Sequence, residues 1–186
     1  MTLPATDGIW DKLQALLAYD ASSPLIFSSG LFLFLFAGFL LVYSVFRRAP
    51  MARIVYVIAF SLYFYYKSSG IYLLLLVGVS VSDFWIGRAI AHVGSRRAQR
   101  ALVALSIAAD LAVLGYFKYT NFFIEIARDL FGAGFLEFQN IFLPVGISFF
   151  LFQSLSYTID IYRGSPKPVD RWGDYLFYLS FFPQLV

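Results

Sequence analysis

The 186-residue chain has no cysteine and one histidine, and only 13% of its residues are charged. Without cysteine it has neither a disulfide framework nor a thiolate ligand or nucleophile. No cluster of His, Asp and Glu has metal-ligand spacing, so no metal site is expected. Nothing resembles a glycine-rich phosphate loop, and no two carboxylates sit at a spacing suited to paired acid and base work. The start carries no basic cluster and its apolar run has no small-residue cleavage site, so a cleavable signal peptide is not expected. The excess of 14 Lys and Arg over 11 Asp and Glu is too small to suggest nucleic acid.

What is abundant is apolar surface: 60% of residues are hydrophobic and 20% aromatic, and the mean hydropathy is +0.75. That exceeds what the surface of a water-soluble domain tolerates. Dividing the chain by the roughly 20 apolar residues of a spanning helix predicts an all-α, polytopic transmembrane helical bundle with about five crossings and a truncated sixth.

Residues 1–24 are the most polar part. Asp7, Asp11, Asp20 and Lys12 accompany Ile9, Leu13, Leu16 and Leu17 at helical spacing, which predicts an interfacial helix. Residues 25–186 form the membrane part. Its first crossing is predicted at 25–46, ended by Arg47, Arg48, Pro50 and Arg53. The run 54–86 is too long for one crossing and is split by Lys67, Ser68, Ser69 and Gly70, a turn-forming group that predicts a hairpin. A basic loop leads to a fourth crossing at 101–117. Residues 119–140 are expected to be amphipathic, 143–164 to be the fifth crossing, and an apolar run from Tyr175 to Val186 to open a sixth.

Cytoplasmic loops carry the excess of Lys and Arg. With the N-terminus outside, ten basic residues fall in cytoplasmic loops (Arg47, Arg48, Arg53, Arg88, Arg96, Arg97, Arg100, Arg163, Lys167, Arg171) and four outside (Lys12, Lys67, Lys118, Arg128). The opposite orientation inverts that ratio.

Polar residues within apolar runs are the candidate functional groups. At about 100° per residue, Gln153, Ser156, Tyr157 and Asp160 share one face, with Asp160 able to pair with Arg163. Such a stripe either lines a polar passage or hydrogen-bonds neighbouring helices. Asp110, in mid-crossing, requires a polar or cationic partner or a wet cavity; Ser106 one turn earlier is a candidate and Lys118 a weaker one. Asp83 has Arg88 as a snorkelling neighbour. His92, in a basic loop without a carboxylate to orient it, is not expected to be a catalytic base.

The segments "LGYFKYTNFF" (114–123), "LPVGISFFLFQSLSYTIDIYRG" (143–164) and "FFPQLV" (181–186), in this order, resemble the membrane-bound O-acyltransferase family. "IFSSGLFLFLF" (26–36) points within it to the branch similar to the alginate O-acetylation membrane protein. The resemblance implies a multi-helix membrane enzyme taking an acyl group from a cytoplasmic donor, here acetyl-CoA, towards hydroxyls outside. No bound cofactor is implied. The partners it implies are the lipid bilayer and either an exported polysaccharide or a periplasmic acetyltransferase, in a bacterial inner membrane.

The resemblance also implies that this chain matches only the first part of the family's length, with the catalytic histidine in a later part that His92 does not match. The chain alone is therefore expected to be inactive and to have no catalytic residue. Gln153, Ser156, Tyr157 and Asp160 are then expected to line a tunnel where donor and acceptor meet. A transporter or export subunit using Asp83, Asp110 and Asp160 to bind or relay a cation is the alternative.

Overall fold

The computed structural model describes residues 30–131, 137–164 and 167–185, and these contain helices and no strand. The expected interfacial helix at 1–24 and the opening of the first crossing lie outside the described residues. Eight helices follow in order: α1 Gly30–Val45, α2 Pro50–Ser69, α3 Leu73–His92, α4 Arg96–Leu114, α5 Thr120–Phe131, α6 Ile147–Arg163, α7 Trp172–Ser180 and the single-turn α8 Phe182–Leu185. Two continuous stretches, Pro50–His92 and Arg96–Leu130, are long and apolar enough to cross a membrane. Their exposed faces carry Val55, Ile71, Leu74, Trp85, Leu105 and Leu111, the side chains expected against lipid.

Breaks between helices fall where the backbone chemistry requires them. Pro50 opens α2, a first-turn position where its missing N–H costs nothing. Gly70, with φ 58°, ends α2 and leads through a short 3-10 turn into α3. The predicted turn is therefore present, but its setting differs from an exposed interface loop. Lys67, Ser68, Ser69 and Gly70 are all buried, and the Ser69 hydroxyl accepts the Val145 N–H at 3.0 Å.

The fourth predicted crossing begins at Arg96 rather than 101, and a π-helical turn at Gly115–Tyr119 carries it directly into α5. The amphipathic segment is thus an extension of α4 as far as Phe131, and 137–146 is irregular. Gly146 (φ 71°) and Gly164 (φ 91°) bracket α6, so that helix is shorter than the expected 143–164. The last apolar run is not one helix. It starts earlier, at Trp172, and breaks at Phe181 (ψ 108°) ahead of Pro183. At about 1.5 Å rise per residue, the nine residues of α7 are too short to span.

Two packing centres result. Helices α3, α4, α6 and α7 enclose one that includes Leu76, Val79, Ile90, Leu114, Phe150, Leu151 and Tyr175. An aromatic one joins α1 to α2 and α8 through Phe32, Phe39, Val57, Phe64 and Phe182. Serine and glycine let the helices close up. Ser61, Ser80, Ser106, Ser154 and Ser180 are fully buried, and a Cβ on Gly87 would lie 2.8 Å from Tyr157 Cε1 and 2.9 Å from Ile161 Cδ1.

Candidate functional site

On α3 the buried positions 76, 79, 80, 83, 84, 87 and 90 recur at three- and four-residue steps, so the apolar face that packs inward carries Asp83 with it. On α4, Ser106, Asp110 and Leu114 make one buried column. On α6, Ser154 and Thr158 stand one turn apart on the buried face. These three columns meet where Tyr175 of α7 closes the side.

The result is a six-residue polar cluster inside an apolar bundle. Ser106 donates to Asp83 Oδ1 at 2.8 Å and Ser154 donates to Asp83 Oδ2 at 2.5 Å. The Ser154 hydroxyl also meets the Tyr175 hydroxyl at 2.6 Å, and the Ser106 hydroxyl lies 3.3 Å from Thr158 Oγ1. Asp110 sits against Asp83 within hydrogen-bonding contact. Its own Oδ2 is buried and has no partner. Asp83 is 1% and Asp110 3% exposed, so water does not satisfy either carboxyl from outside.

Several sequence expectations are redirected by this geometry. The partner of Asp110 from another helix is polar, as required, but it is a second carboxyl. Ser106, proposed for Asp110, donates to Asp83 instead. Lys118 lies over the Tyr119 ring at 5.6 Å. Arg88 does not reach back to Asp83; it donates to the Asp170 carbonyl at 3.0 Å and lies over the Phe84 ring. Asp160 pairs with Arg163 at 3.9 Å, the predicted i to i+3 contact.

The four stripe residues of α6 separate into different surroundings. Gln153 donates to the Tyr178 carbonyl at 3.0 Å, while its Oε1 is buried without a partner. Ser156 is exposed and lies 3.5 Å from Asp160 Oδ2. Tyr157 is buried, accepts the Val169 N–H at 3.2 Å, and holds its ring 4.4 Å from that of Tyr175 at a tilt of 37°. Tyr157 and Asp160 line a cleft of about 280 Å³ with Val169 and Tyr178.

Ser154, Thr158 and Tyr175 were not legible as site residues. Ser154 and Thr158 are each one residue beyond a stripe member, and a rotation of one position along α6 decides which face meets Asp83. The usable signal was their four-residue spacing, which repeats that of Ser106 and Asp110.

A second cleft, of about 330 Å³, opens among Gly94, Arg96, Gln99, Tyr162, Gly164 and Lys167. Here Arg100 donates to the Tyr162 hydroxyl at 3.1 Å, and Gln99 donates to the Ile90 and Val93 carbonyls that end α3. The two basic loops predicted to be cytoplasmic thus converge on one end of the bundle. His92 is exposed there, with Nδ1 2.7 Å from the Arg88 carbonyl oxygen and no carboxylate bonded to its ring.

An all-α membrane protein with a polar seam buried between its helices is the class these observations define. No family model matches the chain, and no solved structure does. Curated relatives do. It is 37% identical over 168 residues to the probable alginate O-acetylase AlgI of Pseudomonas aeruginosa, covering 87% of this chain and 32% of that protein. With the probable alginate O-acetylase AlgI of Azotobacter vinelandii it shares 37% identity over 167 residues, 87% of this chain and 33% of the relative. A peptidoglycan O-acetyltransferase of Helicobacter pylori is 30% identical over 190 residues, 87% of this chain and 36% of its own length. The resemblance to membrane-bound O-acyltransferases read from the sequence motifs is thereby borne out, and the chain spans about a third of the length of these relatives.

Proposed function

We propose that this chain is the donor-side, N-terminal part of a membrane O-acetyltransferase. It passes an acetyl group from cytoplasmic acetyl-CoA towards hydroxyls of an exported polysaccharide or of a periplasmic acetyltransferase partner. The observation that carries this reading is the similarity, along 87% of the chain, to relatives named as alginate and peptidoglycan O-acetylating proteins. The placement is a bacterial inner membrane, multi-pass, with the N-terminus outside.

Acyl transfer needs a base for the acceptor hydroxyl and donors for the oxyanion on the thioester carbonyl. The described residues supply walls and an entrance. Arg96 and Lys167 beside the cleft at the basic end suit the phosphates of an anionic donor, although the same two residues also satisfy the positive-inside rule. Of the four stripe residues of α6, Tyr157 and Asp160 line the passage beyond, with the Asp160–Arg163 pair at its mouth. Exposed His92, held against the Arg88 carbonyl, takes no part in catalysis, and residues 1–186 alone do not turn over.

The test is CoA release by purified protein given acetyl-CoA and acceptor. The 186-residue chain is expected to stay at background, and a form extended to the relatives' length is expected to release CoA and to be unaffected by His92→Ala. Turnover by residues 1–186 that disappears with His92→Ala would overturn this assignment. The paired carboxyls Asp83 and Asp110 favour a cation-transporting subunit as the second reading. Cation flux into proteoliposomes without any CoA release from the extended form would select it.

A further inference from the structure

The Asp83 and Asp110 carboxyls are placed together, and no described residue that bonds them carries a compensating charge. Asp83 receives hydroxyl hydrogens on both oxygens, from Ser106 of α4 and Ser154 of α6. That arrangement suits a carboxylate, which accepts and cannot donate. Asp110 is different. It lies against Asp83, another acceptor, and its Oδ2 receives nothing although the residue is 3% exposed. Two carboxylates in contact have no donor between them, and a buried unpaired carboxyl oxygen is costly.

The groups that face the pair from each packed helix are Ser106 on α4, Ser154, Tyr157 and Thr158 on α6, and Tyr175 on α7. All are hydroxyls. The cation on α3 itself, Arg88, is engaged with the Asp170 carbonyl. Among the described residues no side-chain cation bonds either carboxyl.

We propose that Asp83 and Asp110 form a binding site for one monovalent cation, a proton or a sodium ion, seated at Asp110 and shared with Asp83. The ring of oxygen donors is the chemistry of a hard cation, and the orphaned Asp110 Oδ2 is the position that lacks a partner. A proton there turns Asp110 into the donor that Asp83 accepts. A sodium ion at Asp110 supplies the missing charge instead. Either occupant joins α3 to α4, and through Ser154 and Tyr175 the same hydrogen-bonded chain reaches α6 and α7. The site is independent of the O-acetyltransferase reading and deepens the cation-transporting one, from which it differs in requiring binding and no flux.

The experiment uses purified protein in lipid nanodiscs at neutral pH. Infrared spectroscopy in sodium-free buffer reads a protonated-carboxyl stretching band that Asp110→Asn removes. Thermal unfolding, titrated with sodium chloride against choline chloride at constant ionic strength, reads a saturable rise in Tm that Asp110→Asn abolishes. The band assigns the proton, the sodium-dependent rise assigns the metal ion, and both together show competition for one site. Should Asp110→Asn fail to fold, Asp83→Asn gives the same comparisons. Neither a band nor a sodium-dependent rise in the native protein overturns the proposal, because the pair is then neutralised by the protein's own cations.

Discussion

Asp110 and Gly87 make different demands on substitution. Asp110→Asn keeps the shape and can donate an amide hydrogen to Asp83, so it is predicted to cost about 1 kcal/mol or less. Asp110→Leu removes that contact and forces a branched side chain beside a carboxylate; a loss of about 1 to 3 kcal/mol is expected. Both are read from unfolding in detergent. Full tolerance of Leu would mean that the side chain faces lipid. Gly87 is a packing requirement. Its added methyl meets a rigid tyrosine ring at 2.8 Å, so Gly87→Ala is predicted to destabilise by about 1 to 3 kcal/mol, and to cost less when introduced into a Tyr157→Ala background. An equal cost in both backgrounds would sink the argument. Asp110 was legible in sequence because an acid in mid-crossing announces its need for a partner. Which partner it finds was not, since Asp83 and Asp110 are 27 positions apart and only the facing of α3 against α4 brings them together.

Individual helices show the same division between local signals and tertiary decisions. Apolar run lengths and the Lys67–Gly70 breaker located α2 and α3, because glycine and clustered small polar residues act locally. The burial of that breaker was not legible, since it depends on 137–146 returning to cover it. The division of the final run into α7 and α8 was hidden by continuous hydrophobicity, which registers burial but not backbone direction. Gly146 is the sharpest element-level constraint. Its φ of 71° is left-handed, and an added Cβ would sit on the Leu185 carbonyl oxygen. Gly146→Ala is therefore predicted to detach α8 from the start of α6, seen as faster proteolysis within residues 181–185 with α-helical content nearly unchanged. Resistance equal to the parent protein would show that α8 does not depend on this contact.

At the scale of the molecule, the orientation proposed from ten basic residues against four makes 88–100 and 163–171 cytoplasmic. Cysteines introduced at Ser95 and Ser165 are expected to be shielded from an impermeant thiol reagent in intact cells and labelled after permeabilisation. Labelling of both from outside would reverse the topology. Composition alone was enough for an all-α membrane chain, because that class follows from how much apolar area must meet lipid.

The aromatic contacts of Phe182 carry a consequence for biosynthesis. Its ring lies 5.1 Å from Phe60, 5.5 Å from Phe39, 5.7 Å from Phe64 and 6.3 Å from Phe36, so a residue near the end of the described chain closes the seat of the first described helix. A ribosome making this protein finishes α1 long before it reaches Phe182. Until then α1 has α2 beside it, while the place of Phe182 is open to lipid or to the insertion machinery. The first described helix is therefore complete well before the residue that closes its seat is made, and its docking is timed by the length of the message between them.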